Sequence, residues 1–233
     1  MRNYIILNGV NSNTITGLLI SELPPITKPK QRTKIDEIDG RDGDIVTKLG
    51  YSAYDKTIEI GLHGNFDIDQ VIEYFNSEGT VVFSNESDKY YNYQILGQID
   101  FERLIRFKTA KVKMHVQPFK YPVEEEEITI SGETTVTNEG NIYAKPTLNI
   151  EGSGTIEVDL NGIQIFSIDL GQTATEITID TTNMQAYNPN TTALMNRQVT
   201  GDYNLFKIET GNNTVELSGT VTSATISNYT RWL

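Results

Sequence analysis

Four aspartates that lie within nine residues of one another are the first candidate for a metal site in this sequence. They are Asp36, Asp39, Asp42 and Asp44, and Gly40 and Gly43 lie among them. Carboxylate oxygens at this density suit hard cations such as Ca²⁺. The spacing does not match the EF-hand pattern, and Arg41 places a positive charge in the middle. The segment is interpreted as a turn-rich contact loop, with a calcium site as the alternative.

Residues for nucleophilic or cofactor chemistry are scarce. Cysteine is absent, which excludes thiol catalysis, disulfides and Cys-bound zinc. His63 and His115 are 52 residues apart and fit no zincin spacing, and no G-x-S-x-G motif occurs. Gly152-Ser153-Gly154 is a lone GxG motif before a strand and is interpreted as a hairpin turn. We therefore predict no enzyme activity, no catalytic or metal-binding residue and no cofactor.

Aromatic residues of the second half leave one binding function open. Tyrosines in turn-rich regions can stack on sugars, although such residues more often pack half-buried with the hydroxyl group in water. The candidates are Tyr143, Tyr187, Tyr203, Tyr229 and Trp232. A carbohydrate-binding module or lectin with an accessory β domain is therefore the alternative interpretation.

The charge of this 233-residue chain is unevenly distributed. Residues 1–120 carry 15 basic and 16 acidic side chains, whereas residues 121–233 carry 4 and 15. Such asymmetry predicts two units with different surfaces, and the acidic half lacks the basic footprint of a nucleic-acid binder. The sequence contains no run of 18 apolar residues, so we predict no membrane insertion. We also find no signal-peptide pattern in its first residues.

The first half alternates between strands and one helix. Residues 54–62 alternate apolar and polar side chains, which predicts a half-buried strand. Ile68, Val71, Ile72 and Phe75 fall at helical spacing within a helix predicted over Asp67–Glu78. The other strands are expected at Tyr4–Leu7, Thr80–Ser84, Tyr90–Phe101 and Phe107–Phe119.

A long segment between these strands breaks the pattern. Pro24, Pro25 and Pro29 interrupt sheet pairing, and residues 27–50 show too little apolar periodicity for a core element. Long irregular segments in compact domains are often functional. We interpret this segment as an extended arm whose backbone groups are satisfied by another chain.

The second half has the pattern of a β-sandwich. Tyr121 and Pro122 precede four consecutive glutamates, which predicts an exposed hinge over residues 122–127. Asn161-Gly162 between alternating residues predicts a type I′ hairpin turn. Further strands are expected at Ile128–Thr137, Ala144–Glu151, Glu176–Asp180, Asn204–Glu209, Thr214–Ser218 and Ser223–Thr230.

Several short segments, in this order and spacing, resemble the distal tail protein (Dit) family of long-tailed phages and prophages of Gram-positive bacteria. The resemblance spans essentially the whole chain. The segments are Leu23-Pro24-Pro25-Ile26, Gly40-Arg41-Asp42-Gly43, residues 116–121, residues 136–140 with Ala144-Lys145-Pro146, and residues 209–214.

The resemblance implies a mainly β fold in two domains. Residues 1–121 would form a tail-tube-like β-sandwich or barrel with one helix and an extended arm, and residues 128–233 a galectin-like β-sandwich. It further implies a homo-hexameric ring at the virion tail tip, made in the host bacterial cytoplasm. Its partners would be the tail tube protein, a tail-associated hub or lysin protein, and a receptor-binding or baseplate protein. The central channel would pass the tape measure and DNA without specific nucleic-acid recognition.

The same resemblance assigns residues to the contact between subunits. Residues 24–50 would be the intersubunit belt, with Pro24 and Pro25 at its start. Gly40, Arg41, Asp42 and Gly43 would form its turn, and Arg41 is expected to make an intersubunit ion pair.

Overall fold

The computed structural model describes residues 2–233, which divide into two compact units. The first unit ends at Val123 and the second runs from Glu124 to Trp232. Each unit has its own cluster of buried apolar side chains, so each has a separate hydrophobic core. The predicted mainly β fold is confirmed, since 51% of the chain is strand and 9% is helix. No helix among the described residues is long and apolar enough to cross a membrane.

The first unit is built on a seven-stranded antiparallel sheet that curls into half a barrel, with strands in the order β2-β1-β7-β8-β9-β6-β3. Within the described residues, the strands of this unit are β1 (Ile5–Leu7), β2 (Val10–Asn11), β3 (Leu18–Glu22), β4 (Gln31–Asp36), β5 (Ile45–Tyr51), β6 (Tyr54–Leu62), β7 (Glu78–Phe83), β8 (Lys89–Gln94) and β9 (Thr109–Pro122). The strand predicted at residues 54–62 is confirmed, and its alternation buries Ile58, Ile60 and Leu62.

Helix α1 (Ile68–Phe75) is the helix predicted from apolar spacing. The Asp67 side chain accepts hydrogen bonds from the backbone N–H groups of Asp69 and Gln70, which caps the first turn. Val71 and Phe75 are buried in the core of this unit. The helix ends earlier than predicted because Glu78 already begins β7.

The prediction of a single helix was wrong. Helix α2 (Phe101–Phe107) lies between β8 and β9, where the sequence predicted the facing ends of two strands. Asp100 caps it through the Arg103 N–H, and Glu102 pairs with Arg106 one turn later. Only Leu104 is buried among its seven residues, and the helical spacing of Phe101, Leu104 and Ile105 extends over little more than one turn.

The arm is more regular than its sequence indicated. Instead of an irregular segment, it contains the antiparallel hairpin β4–β5, with Ile35 opposite Val46 and a bulge next to Arg32. We did not predict this hairpin from the sequence because its apolar side chains are exposed and follow no core-facing alternation.

The second unit, all of whose residues the structure describes, contains eight strands in one branched sheet. They are β10 (Ile128–Thr129), β11 (Thr134–Asn138), β12 (Thr147–Leu160), β13 (Ile163–Asp169), β14 (Thr175–Asp180), β15 (Gln185–Tyr187), β16 (Val199–Gly201) and β17 (Gly211–Ser227). Short 3₁₀ turns are found at Ser12–Thr14 in the first unit and at Asn196–Gln198 in the second.

Two long strands, β12 and β17, link both layers of the second unit. The first half of β12 pairs with β14 and its second half pairs with β13, while β17 follows it along both halves. Buried residues of both halves of β12 join one core, among them Leu148, Ile150, Ile156 and Val158. The result is a β-sandwich whose layers share their central strands.

The turns of this unit confirm one prediction and correct another. Asn161 and Gly162 have φ of 53° and 76° between β12 and β13, as a type I′ turn requires. Gly152-Ser153-Gly154 is no hairpin turn, because it lies inside β12 where the register to β17 shifts. The strands predicted at Thr214–Ser218 and Ser223–Thr230 are likewise parts of one strand, β17.

Two further strand predictions need correction. The strand expected at Ile128–Thr137 is divided into β10 and β11 by a turn at Gly132, which has φ of 64°. The strand expected at Asn204–Glu209 does not form, and in the described chain Ile208 makes an isolated bridge with Ala144 there.

Candidate functional site

The hairpin β4–β5 forms a sheet of its own. Its two strands pair with each other and with no other strand among the described residues. A lone two-stranded hairpin is only marginally stable in water and needs packing against a further surface. Most of its side chains are exposed, and none is buried.

Exposed apolar side chains concentrate on this arm. The set comprises Ile26, Ile35, Ile38, Ile45, Val46 and Leu49. Ile35 and Val46 are directly opposite each other, which places both on one face of the hairpin, and they are 57% and 56% exposed. A paired apolar face of this kind, left in water, is typical of a protein–protein contact.

The root of the arm is held firmly to the main sheet. The carbonyl of Pro24 accepts a hydrogen bond from the Asn85 side chain at 3.0 Å, and the carbonyl of Pro25 accepts one from Lys56 Nζ at 2.9 Å. Proline provides a carbonyl but no N–H, so these bonds satisfy the polar groups available there. The two prolines predicted to start the belt therefore fix where the arm leaves the sheet.

Lys56 is an unusual anchor because its ammonium group is buried among aromatic rings. The residue is 3% exposed, and Nζ lies 4.9 Å from the ring centroid of Tyr91, 5.6 Å from that of Tyr54 and 5.7 Å from that of Phe83. Cation–π attraction offsets part of the cost of burying the charge. Burial nevertheless lowers the pKa of Lys56 to about 8, against the opposing effect of the nearby Glu86 carboxylate.

A buried ion pair lies beside this lysine. Lys120 Nζ contacts Glu86 Oε1 at 2.8 Å, and the Tyr91 hydroxyl donates to Glu86 Oε2 at 2.7 Å. Burial, together with this hydrogen bond to a carboxylate, raises the pKa of Tyr91. Both Glu86 oxygens are thus occupied, which is what a buried carboxylate requires.

The predicted belt turn lies at the exposed tip of the arm. Gly40 and Gly43 have φ of 81° and 79°, the region that favours glycine, in the loop between β4 and β5. The Arg41 N–H donates to the Ile38 carbonyl at 3.1 Å, and the side chains of Arg41 and Asp42 are exposed. Among residues 2–233, Arg41 has no ion-pair partner.

The predicted hinge residues occupy the end of a strand. Tyr121 pairs with Tyr90 and Pro122 with Lys89 in the β8–β9 ladder, and the rings of Tyr121 and Tyr90 stack at 5.5 Å between centroids. The four glutamates follow shortly after. Hinge motion at Tyr121 and Pro122 stays a prediction.

The sequence suggested two other candidate sites, a metal site and a group of tyrosines for sugar stacking. Within the part of the chain that the structure describes, no group of three His, Asp or Glu side chains is placed to hold a metal ion. Several of the tyrosines considered for sugar stacking are engaged within the second unit. Tyr203 packs on Phe166, and the Tyr229 hydroxyl donates to the Glu126 carbonyl.

Sequence reasoning missed the anchor at the root of the arm, although a signal was present. Lys56 is in phase with Ile58, Ile60 and Leu62 along β6, and Lys120 is in phase with the buried residues of β9. A lysine on the core-facing side of a strand has to find a buried partner. The partners Glu86 and Asn85 lie in the turn between β7 and β8 and gave no such signal.

The fold of this chain has a counterpart among solved structures. A scan of protein-family models finds no match, and a search of curated proteins finds none either. Among solved structures, the chain is similar to the Dit protein of phage SPP1, described as a paradigm of the hub adsorption apparatus in phages that infect Gram-positive bacteria. The two are 15% identical, the match covers 100% of both chains, and the TM-score is 0.66.

Chains of the phage P2 baseplate superpose more loosely. The baseplate in its activated conformation with Ca matches at 12% identity over 100% of this chain and 98% of that one, with a TM-score of 0.44. The form with Sr matches at 12% identity over 97% and 98%, with a TM-score of 0.47. The assignment of the fold therefore rests on the SPP1 Dit protein.

Proposed function

We propose that this protein is the structural hub of a phage tail tip, a member of the distal tail protein family that forms a ring of six identical subunits. The observation that carries the proposal is the hairpin arm, fixed at its root and apolar along exposed strands. The fold shared with the SPP1 Dit protein, itself a hub, supports it. The ring order of six comes from the family resemblance.

The arm suits a contact between neighbouring copies. A hairpin that packs on a different surface of the next copy makes a head-to-tail interface, and such interfaces close into a ring when the rotation fits. The anchor at Pro24 and Pro25 fixes the direction in which the arm leaves its own subunit. Ordering the arm on a neighbour would also bury Ile35 and Val46.

The surface around α2 is the receiving face that this unit offers. Ile105 and Phe107 on α2 are exposed apolar residues, as is Leu96 in the loop before it. A groove next to the helix is lined by groups of both charges, including Glu59, Asp100, Arg103 and Lys111. Such a groove suits the tip of the arm, which carries several aspartates and Arg41. Arg41 would form an ion pair with one of the carboxylates of the groove.

The remaining roles come from the family resemblance. The first unit would stack on the tail tube, and the second would dock a tail-associated hub or lysin protein and a receptor-binding or baseplate protein. The channel would pass the tape measure and DNA. The protein would act mechanically, without turnover of a substrate, as part of the virion tail tip after synthesis in the bacterial cytoplasm.

Because the chain lacks cysteine, introduced cysteines can test the contact directly. In the double variant Ile38→Cys/Phe107→Cys, oxidation should join successive subunits into a ladder of covalent oligomers up to six. A matched control is Ile38→Cys/Ile163→Cys, since Ile163 in the second unit is 65% exposed, as is Phe107. The control should yield dimers at most.

Two results would contradict different parts of the proposal. A ring of six copies by native mass spectrometry that gives no ladder would exclude α2 as the receiving face. A single-chain mass at every concentration would exclude the ring itself.

A further inference from the structure

The second unit has few basic residues, and most of them meet at one tyrosine. Residues 121–233 contain only Lys145, Arg197, Lys207 and Arg231 against 15 acidic residues. Lys207 Nζ lies 4.9 Å from the ring centroid of Tyr143, and the Arg231 guanidinium carbon lies 4.6 Å from it. Lys145 is two residues from Tyr143. Three of four positive charges therefore gather in a unit that is otherwise strongly acidic.

Backbone pairing holds the two lysines side by side. Ala144 and Ile208 form an antiparallel bridge with two hydrogen bonds, of 2.8 and 3.1 Å. In such a bridge the flanking residues oppose each other, so Lys145 lies opposite Lys207 and points to the same face. The Asn138 side chain also donates to the Ile208 carbonyl at 3.1 Å, which fixes this strand further.

Arg231 forms the buried base of this cluster. It is 3% exposed, and its Nε donates a hydrogen bond to the Tyr143 carbonyl. Its positive charge is thus held near Lys145 and Lys207, both of which are half-buried. The two lysines need compensation of their own, because like charges directly opposite each other on neighbouring strands repel.

Within the described residues, neither lysine forms an ion pair with a carboxylate. Burial lowers the pKa of Lys145, and the positive charges of Lys207 and Arg231 lower it further. The carboxylate of Asp180 acts in the opposite direction and raises this pKa. Asp180 already accepts hydrogen bonds from the backbone N–H groups of Thr182 and Asn183 and from the Asn183 side chain. Glu209 is exposed and lies opposite Tyr143 on the same face as the two lysines, and among the described residues its carboxylate makes no ion pair with either of them.

We propose that Lys145, Lys207 and Arg231 around Tyr143 form a binding site for a phosphate-type dianion. A single carboxylate would neutralise only one of the two lysines, whereas a dianion neutralises both at once. Lysine ammonium groups bind phosphate as point charges with rotatable donors, and Arg231 adds a fixed positive field beside them. The proposal is independent of ring formation.

The test is a titration of the full-length protein with inorganic phosphate at constant ionic strength, followed by amide NMR shifts. Residues 143–145 and 207–208 should shift and saturate, and sodium acetate at the same ionic strength should shift them less. Lys145→Gln and Lys207→Gln should each weaken the affinity about tenfold, the loss expected for one charge-assisted hydrogen bond. Arg197→Gln, which removes the same charge at an exposed position outside the cluster, should bind as the wild type does.

Three outcomes would overturn the proposal. They are no saturable shift at these amides, an unchanged affinity in the double variant Lys145→Gln/Lys207→Gln, and equal binding of acetate and phosphate. Both lysines are partly exposed, so the glutamine variants should keep the fold, and their amide spectra away from the cluster serve as the check.

Discussion

At the scale of single residues, the buried charges at the root of the arm set its chemistry. Lys56 holds the Pro25 carbonyl, while Glu86 binds Lys120 and Tyr91. Buried charges are costly unless each finds partners, and here the partners are the backbone of the arm and aromatic rings. Attachment of the arm is therefore tied to the stability of the first unit.

The lowered pKa of Lys56 predicts a specific dependence on pH. Between pH 8 and 10 the unfolded chain keeps a proton that the folded Lys56 has released, so the free energy of unfolding should rise with pH. Above pH 10 the raised pKa values of Tyr74 and Tyr91 reverse the trend, because the folded state then keeps protons that the unfolded chain loses. Urea denaturation at several pH values measures this.

The control for this prediction is a pair of variants. Lys56→Met should remove most of the rise between pH 8 and 10 and leave the part that comes from Lys145, whose pKa burial also lowers. Lys111→Met, which removes an exposed lysine from the outer face of β9, should keep the whole rise. An undiminished rise in Lys56→Met would show that another group is responsible.

The buried ion pair predicts a large cost for losing one partner. Glu86→Ala leaves Lys120 and the Tyr91 hydroxyl without their acceptor and should lower the free energy of unfolding by about 3–5 kcal/mol. Asp55→Ala breaks the solvent-accessible contacts of Asp55 with Lys113 and His115 and should change the free energy of unfolding little. Equal effects of the two variants in urea denaturation would contradict the burial of the Glu86 pair.

At the scale of elements, the sequence predicted strands best where one face is buried. The sequence predicted strand β6 from its alternation and the turn at Asn161-Gly162 from its residue types, because at both places the local pattern agrees with the fold. Helix α2 was missed because it has only seven residues, so the helical spacing of Phe101, Leu104 and Ile105 covers little more than one turn. The hairpin was missed because its apolar residues face water in this subunit, so no core-facing pattern marks it.

The hairpin should be protected only where a second surface covers it. We expect amides of β4 and β5 to exchange rapidly with deuterium in dilute, dissociated protein and slowly in the assembled ring. Peptides from β6 should be protected in both states, because this strand is paired on both sides within the sheet. Equal protection of β4–β5 at all concentrations would mean that the arm is ordered without a neighbour.

The register shifts of β12 and β17 explain why Gly152-Ser153-Gly154 looked like a turn. Gly219 in β17 has φ of 105°, and a Cβ there would lie 2.4 Å from the Thr155 carbonyl oxygen. Gly219→Ala should therefore lower the free energy of unfolding by more than about 2 kcal/mol, since a clash adds to the backbone strain. Gly154→Ala has open space and should cost about 1–2 kcal/mol from its positive φ alone. Thermal denaturation compares the two, and equal losses would contradict close packing at Gly219.

At the scale of the whole molecule, the proposed function depends on surfaces that a single chain leaves uncovered. The sequence indicated an arm and two units of different charge, and the resemblance supplied the ring. The sequence could not show which residues fix the arm, because Lys56 and Glu86 are brought together by the fold from positions distant in sequence. These features became visible only with the fold.

The most direct test of the hub proposal is the mass of the protein in solution, measured by light scattering after size exclusion. The wild type should reach six times the 26.1 kDa of one chain. Ile35→Asp/Val46→Asp should stay a single chain, because it places two charges on the apolar face of the hairpin. Thr47→Asp, on the opposite face, should still assemble. A wild type that keeps the mass of one chain at every concentration would contradict the account.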